Sequence, residues 1–276
     1  MSRDFTLTKY RELCRALIAS GYESMTVTDY LACLEKPARL AILRHDVDRK
    51  PGNALKVAGL EADLGLRATY YFRYSRSLFK HDVIQKIAGM GHEIGYHYET
   101  LDKSKGDYDK AIGMFRDELS EFRKIARVET ICMHGNPLTK WDNRDLWKRY
   151  DFREFALVGE AYLSFDASKT TYLSDTGRAW GGRHKVKDLL PGACASGCVM
   201  MLSSTDDVTG FVLRAHPAVC YILTHPERWN ENPVDWTLSL VSDVAVNVAK
   251  TVLGYGSRRL ADKQYASARQ RGSVSK

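Results

Sequence analysis

Two aspartates, Asp46 and Asp48, are separated by one residue and closely follow an apolar run at residues 40–43. Side chains two positions apart on an extended chain point the same way, so both carboxylates can enter one pocket while Val47 faces the other side. Two carboxylates held close together repel each other, and a bound cation or a shared proton relieves the repulsion. Taken alone, the pattern is also typical of a polar turn.

Histidines follow later apolar segments at equivalent positions. His97 ends one such segment with Glu99 just beyond it, His134 follows the next segment, and His225 follows a late one. Imidazole and carboxylate groups bind metal ions and transfer protons. Because the carboxyl ends of parallel strands share one edge of a sheet, the two aspartates and these histidines are predicted to meet there.

These residues must be positioned by an alternation of strands and helices that starts near residue 40. Runs rich in β-branched and aromatic residues alternate with amphipathic stretches, which is typical of parallel strands joined by crossover helices. The predicted strands are 40–47, 68–72, 92–97, 128–133, 171–174, 199–203 and 219–224. The predicted helices are 7–20, 28–34, 53–64, 83–90, 108–125 and 235–252, the last with Trp236, Leu240, Val244, Val248 and Val252 facing the core.

Three stretches resemble the motifs of the polysaccharide deacetylase family, also called the NodB-homology family or carbohydrate esterase family 4. The pair Asp46 and Asp48 resembles its first motif, which is D-D or, in some branches, D-x-D. Residues 91–97, Gly-His-Glu-Ile-Gly-Tyr-His, match its G-H-E-I-G-x-H, and residues 223–225, Leu-Thr-His, match its late L-x-H. The resemblance covers roughly residues 38–230, in the family's order.

The resemblance implies a distorted (β/α) barrel of about seven strands that removes N-acetyl groups from sugars with the help of a metal. It implies that Asp46 is the general base, that Asp48 and His97 are metal ligands, and that His225 is the general acid. The chemistry is consistent, because a divalent ion lowers the pKa of bound water and polarises an amide carbonyl. Zn²⁺ is the metal most expected with such ligands, and Co, Ni, Fe and Mn also suit them.

The chain departs from the family four residues after His97, where a second histidine is expected and Leu101 stands instead. The third protein ligand is then His134 or Glu99, with water as a further alternative. His134 itself stands where the family usually carries an arginine near the catalytic aspartate. Its role as ligand, catalytic helper or substrate contact stays open at this point.

Four residues are candidates for contact with a sugar. Residues 175–180, Asp-Thr-Gly-Arg-Ala-Trp, loosely resemble the family's D-x-x-D-W region, and a surface loop is the alternative. Aromatic rings can stack on sugar faces, although a single ring more often packs in the core. The candidates are Trp141, Asp175, Arg178 and Trp180.

Composition sets the broad class. The 276 residues, 44% hydrophobic and 27% charged, are typical of a soluble globular protein, and we expect one catalytic domain at residues 1–254. The formal net charge is +7, but residues 257–276 hold six basic residues and one acid. A basic, disordered tail at 255–276 is therefore expected instead of a nucleic-acid-binding face. The same tail offers the alternative of peripheral contact with an anionic membrane.

The chain shows no signal-peptide pattern and no apolar run of membrane-spanning length, so a cytoplasmic location is expected, with membrane association as the alternative. The predicted function is removal of an N-acetyl group from a saccharide intermediate of surface-polysaccharide assembly, of the O-antigen or capsule type. Two alternatives stay open: another metal-dependent amide hydrolase on the same scaffold, and an inactive carbohydrate-binding homologue, which the missing second histidine favours.

Overall fold

The computed structural model describes residues 3–136, 139–180, 190 and 202–248, which form strands, α-helices and short 3₁₀ helices. The strands are β1 (Glu23–Met25), β2 (Leu40–Val47), β3 (Thr69–Phe72), β4 (Glu93–Tyr98), β5 (Thr130–Met133), β6 (Gly159–Glu160), β7 (Thr171–Ser174) and β8 (Val219–Thr224). The α-helices are α1 (Leu7–Ala19), α2 (Val27–Ala32), α3 (Pro51–Asp63), α4 (His81–Gly89), α5 (Thr100–Lys103), α6 (Tyr108–Arg123), α7 (Thr205–Ala215) and α8 (233–248). The 3₁₀ helices are Asn143–Lys148, Phe152–Phe155 and Pro226–Arg228.

The strands form one parallel sheet. Their order is β6-β5-β4-β3-β2-β8-β7, and β1 pairs with the first half of β2. Every residue of β2 is buried, as expected for a parallel strand that is covered on both faces. The central position of β2 places the site-bearing end of this strand between the ends of β3 and β8.

The sheet is curled, because strands that are not neighbours in its order come into contact. Tyr221 of β8 donates a hydrogen bond to the carbonyl oxygen of Ala161, just after β6, at 3.0 Å. The ring of Tyr221 also lies 4.4 Å, centre to centre, from the ring of Phe165. The predicted distorted (β/α) barrel is thereby confirmed, as a half-barrel of parallel strands with helices around it.

Within the stretch 91–97, some residues serve the packing of the fold and one belongs to the candidate site. His92 accepts a hydrogen bond from the backbone N–H of Ala68 at Nδ1 (3.2 Å), so its Nε2 carries the proton that Ala58 O accepts (3.0 Å). A side chain at Gly95 would overlap the ring of Tyr71 in the adjacent strand. His92 and Gly95 therefore serve packing, and His97 is the residue of this stretch that reaches the site.

Helix α8 is rotated from the predicted orientation: Trp236 and Leu240 are half-buried as part of its inner side, and Val252 lies outside the described residues. Its buried positions are Ser239 and Asp243, while Val244 and Val248, predicted to face the core, are 50% and 57% exposed. The reason is electrostatic, because Asp243 faces several arginines of the site and must remain with them. Within the described residues, no helix is both long and apolar enough to span a bilayer.

Some predicted segments lie partly or wholly outside the described residues. Some short elements of the structure were not predicted. The predicted strand 199–203 loses residues 199–201 in this way, and Ser203 is not in a strand. The domain boundary at 254 and the tail at 255–276 also lie outside. Sequence patterns missed β1, β6 and α7, of which the first two have only three and two residues.

Candidate active site

The carboxyl ends of β2, β4, β5 and β8 surround a cavity of about 220 Å³. Its position follows from the parallel sheet, since each strand delivers its next residue to the same edge. The cavity is lined by the predicted Asp46, Asp48, His97, His134 and His225, together with Glu227, which the sequence did not indicate.

Asp48 lies between two imidazoles. Its Oδ1 is 3.4 Å from His97 Nε2 and 3.6 Å from His134 Nε2. His97 Nδ1 donates to the carbonyl oxygen of Cys132 at 3.0 Å, which leaves the Nε2 lone pair directed at the carboxylates. Burial raises the pKa of Asp48, but His134 and His97 outweigh it and hold that pKa well below its usual range.

This arrangement fits a divalent metal ion. Asp48 Oδ1 is buried and has no hydrogen-bond partner among the described residues. Two ligand atoms about 2.1 Å from a tetrahedral Zn²⁺ are about 3.4 Å apart, close to the measured separations. Burial lowers the pKa of His97, yet Asp46 and Asp48 outweigh it and raise that pKa, so this point of the site favours a positive charge.

Glu99 lies behind His134, on its side away from Asp48. Its Oε2 is 3.2 Å from His134 Nδ1 and accepts a hydrogen bond from Arg73 at 2.7 Å. Burial raises the pKa of Glu99, but the contact with His134 prevails and lowers the pKa to about 2. Glu99 is thus placed to orient His134, and of the two candidates for third ligand His134 is the one that faces Asp48.

A second set of donor atoms, from Asp46, His97 and Cys132, also lies within 4.8 Å. Two of its members are already bound to a cation. Arg44 donates to both oxygens of Asp46, at 2.9 and 2.6 Å, and to Cys132 Sγ at 2.7 Å. A metal ion there would lie against a guanidinium, so the donor set around Asp48 is the better cation site.

Asp46 and Arg44 form a buried, bidentate ion pair along one strand. Their side chains are 3% and 0% exposed as residues and lie on the same face of β2, two positions apart. Burial raises the pKa of Asp46, but Arg44 and His97 outweigh it and keep the pKa below its usual value. Asp46 is therefore ionised at neutral pH and able to accept a proton.

His225 is held from behind by Asp175. The imidazole Nδ1 is 2.6 Å from Asp175 Oδ1, and the backbone N–H of His225 donates to Oδ2 at 3.0 Å. Arg228 and Trp229 donate to the same carboxylate, at 2.9 and 3.0 Å. Burial and Arg228 lower the pKa of His225, yet Asp175 prevails and raises it to about 8.

Of the four predicted sugar contacts, none lines the cavity. Asp175 is fully buried behind His225. Trp180 is 3% exposed, and its Nε1 donates to Thr205 Oγ1 at 3.1 Å. Arg178 lies against Asp243 and the ring of Trp236. Trp141 packs over Gly106. The resemblance at 175–180 did identify one residue of the candidate site, Asp175, but this residue contacts His225 instead of the cavity.

Sequence reasoning missed Arg44, Glu227 and the role of Asp175. Arg44 could have been found from its spacing, because residues two apart on a strand share a face. Glu227 follows His225 by two residues in Pro226–Arg228, and only the 3₁₀ turn of that segment brings it to the cavity. The partnership of Asp175 with His225 depends on the parallel pairing of β7 and β8.

Comparisons with known proteins give structural likenesses only. No family model and no curated protein matches the chain. A Streptococcus mutans CE4 esterase is similar over 86% of this chain and 89% of its own, at 11% identity and a TM-score of 0.43. The peptidoglycan deacetylase PdaC from Bacillus subtilis is similar over 79% of this chain and 99% of its own, at 12% identity and a TM-score of 0.39.

Proposed function

We propose that this protein is a metal-dependent N-deacetylase that acts on an acetamido sugar. The observation that carries the proposal is the buried Asp48 Oδ1, which has no hydrogen-bond partner among the described residues and is faced by Nε2 of His97 and of His134. Asp48, His97 and His134 would hold the ion, and Glu99 would orient His134. When bound, a divalent ion such as Zn²⁺ lowers the pKa of water and polarises the amide carbonyl.

Asp46 and His225 would supply the base and the acid of the reaction. Asp46, ionised beside Arg44, would accept the proton of the attacking water. His225 has its Nδ1 proton directed to Asp175, so its Nε2, 3.9 Å from Asp48 Oδ2, presents a second proton to the cavity when the ring is charged. With a pKa of about 8 this imidazolium is well populated at neutral pH. It would protonate the departing amine.

The size of the cavity supports a small acyl-amino unit as the group that enters it. At about 220 Å³ it is below the roughly 300–1,000 Å³ of pockets for drug-sized ligands. One sugar residue with its acetamido group is the substrate unit that we propose. That this sugar belongs to surface-polysaccharide assembly, and that the enzyme works in the cytoplasm, stay predictions.

The proposal is tested by acetate release. Purified protein reconstituted with Zn²⁺ would be incubated with free, nucleotide-linked and lipid-linked acetamido sugars, and with cyclic and linear amides. We expect acetate from at least one acetamido sugar, and a loss of roughly 10²–10⁴-fold in Asp46→Asn and His225→Ala. Hydrolysis of the other amides alone, or acetate release that survives both substitutions, would contradict the proposal.

A further inference from the structure

Helix α8 carries a continuous apolar face on its outer side. Val234, Leu238, Val241 and Val248 are spaced four, three and seven residues apart and are 68%, 61%, 60% and 57% exposed. Such a long apolar stripe is unusual on a soluble surface and marks an interaction site. We define the outer face of α8 as Val234, Thr237, Leu238, Val241, Val244, Ala245 and Val248, which include no charged residue.

The inner side of α8 fixes this orientation. Asp243 Oδ1 accepts from Arg49 at 2.9 Å, and Oδ2 lies 3.5 Å from both Arg178 and Arg228. Asn247 donates to the carbonyl oxygen of Gly177 at 2.8 Å. Turning the helix to bury its apolar face would expose these partners and leave buried arginines without a counter-charge. The folded protein therefore presents the apolar face outward.

The sequence after position 248 indicates the chemistry of a partner. Residues 249–276 contain seven basic residues and one acid, Asp262. An exposed apolar helix face next to basic residues is the combination that binds anionic lipid surfaces, through buried apolar area and charge attraction together. Two copies of a chain with a formal net charge of +7 repel each other. The charge pattern thus favours a lipid surface over self-association.

We propose that the outer face of α8 docks on an anionic lipid bilayer. Val246 and Asn247 of the same helix line the cavity, so docking would bring the cavity beside the bilayer. If the proposed deacetylation is correct, and only then, this position suits a lipid-linked acetamido sugar. The docking surface itself does not depend on the reaction.

The test is co-sedimentation of the full chain with vesicles of phosphatidylcholine, alone or mixed with phosphatidylglycerol. We expect binding to the mixed vesicles that weakens with salt. The double variant Leu238→Gln/Val241→Gln should bind roughly tenfold less, because it removes apolar area from the face. The matched control is Leu34→Gln, at a position 97% exposed and outside α8, which should bind like the natural protein.

Binding that is equal in the double variant and the control would overturn the proposal. So would a dimer in solution that the double variant dissociates while vesicle binding is absent, since the occupant would then be a second copy. Circular dichroism would verify folding, and Val248→Gln, near the end of the described helix, provides a milder variant. The assay needs no substrate, so a protein inactive on acetamido sugars can still bind vesicles.

Discussion

Asp175 holds His225 at two atoms of the same residue, its ring Nδ1 at 2.6 Å and its backbone N–H at 3.0 Å. The carboxylate therefore fixes both the tautomer of the ring and its direction. Burial raises the pKa of Asp175, but Arg228 and His225 outweigh it and lower the pKa to about 2. Asp175 thus stays charged across the pH range of the proposed reaction.

The substitution Asp175→Asn should lower kcat/KM about a hundredfold and change its pH dependence. A general acid must be protonated, so the activity of the natural protein should fall as the pH rises above about 8, the pKa of His225. Without the carboxylate, burial and Arg228 remain and lower that pKa, so the fall should begin at lower pH. A kcat/KM profile against pH measures this, with the half-exposed Asp166→Asn as control. A fall at the same pH in both variants would exclude a role for Asp175 in holding the proton of His225.

Metal analysis of purified variants should separate the two donor sets. Asp48→Ala and His134→Ala are expected to lose the bound ion, because each removes an atom that faces the proposed ion. Glu99→Gln should retain it with roughly 10–100-fold lower affinity, as expected for a group that orients a ligand. Cys132→Ser is the matched control and should bind normally. Loss of metal in Cys132→Ser with retention in His134→Ala would instead assign the ion to Asp46, His97 and Cys132.

The ion pair of Arg44 and Asp46 should make a measurable contribution to the free energy of unfolding. Arg44→Met leaves a buried carboxylate without its partner and should lower the free energy of unfolding by about 3–5 kcal/mol. The double variant Arg44→Met/Asp46→Asn removes the charge as well and should recover a large part of this loss. Urea denaturation of the two single variants and the double variant measures the coupling. Additive losses would show that the two side chains contribute independently.

Glu61 forms a second buried polar cluster, on the opposite side of β2 from the site. It accepts hydrogen bonds from the hydroxyl groups of Tyr10 and Tyr70, both at 2.5 Å, and lies 2.8 Å from His45 Nε2. Burial raises the pKa of Glu61, but His45 outweighs it and lowers the pKa below the ordinary 4.5. Because the folded pKa lies below the unfolded one, the carboxylate stabilises the fold fully above the unfolded pKa, and the stabilisation is lost as the pH falls through the folded pKa.

Glu61→Gln should therefore make the free energy of unfolding less dependent on pH between pH 6 and pH 3. The reduction should be about the contribution of one titrating carboxyl group. At neutral pH the substitution should lower the free energy of unfolding by about 1–3 kcal/mol, because the buried Tyr10, Tyr70 and His45 lose the charged carboxylate to which they are hydrogen-bonded. Urea unfolding at several pH values measures both effects, with the exposed Glu35→Gln as control. An unchanged slope in Glu61→Gln would show that other groups dominate acid unfolding.

The sequence predicted those parts of the fold and the site that depend on strand periodicity. The predicted strands 40–47, 171–174 and 219–224 have the observed bounds, because buried parallel strands are short, apolar and bounded by polar residues. Residues that end such strands, Asp46 and His225 among them, then meet at one edge. Periodicity alone therefore predicts these strands and the residues at their ends, without knowledge of tertiary contacts.

What periodicity could not predict depends on charges brought together by folding. The apolar stripe of α8 indicated a buried face, but Asp243 is required by Arg49, Arg178 and Arg228, whose positions come from three separate segments. The role of Asp175 likewise appears only when β7 lies beside β8. In both cases an ion pair between distant segments outweighs the local pattern. Residue spacing within one segment cannot predict such a pair.

The placement of Arg44, Asp46 and Asp48 on alternate residues of one stretch has a consequence for misfolding and for design. Side chains alternate across a strand, so a slip of β2 by one residue would turn all three to the far face together and bring His45 and Val47 forward. A chain with that error would lose the counter-ion, the proposed base and the proposed metal ligand in a single event. Conversely, five consecutive residues suffice to carry the three groups, so the stretch is a compact unit for transplantation onto another parallel strand.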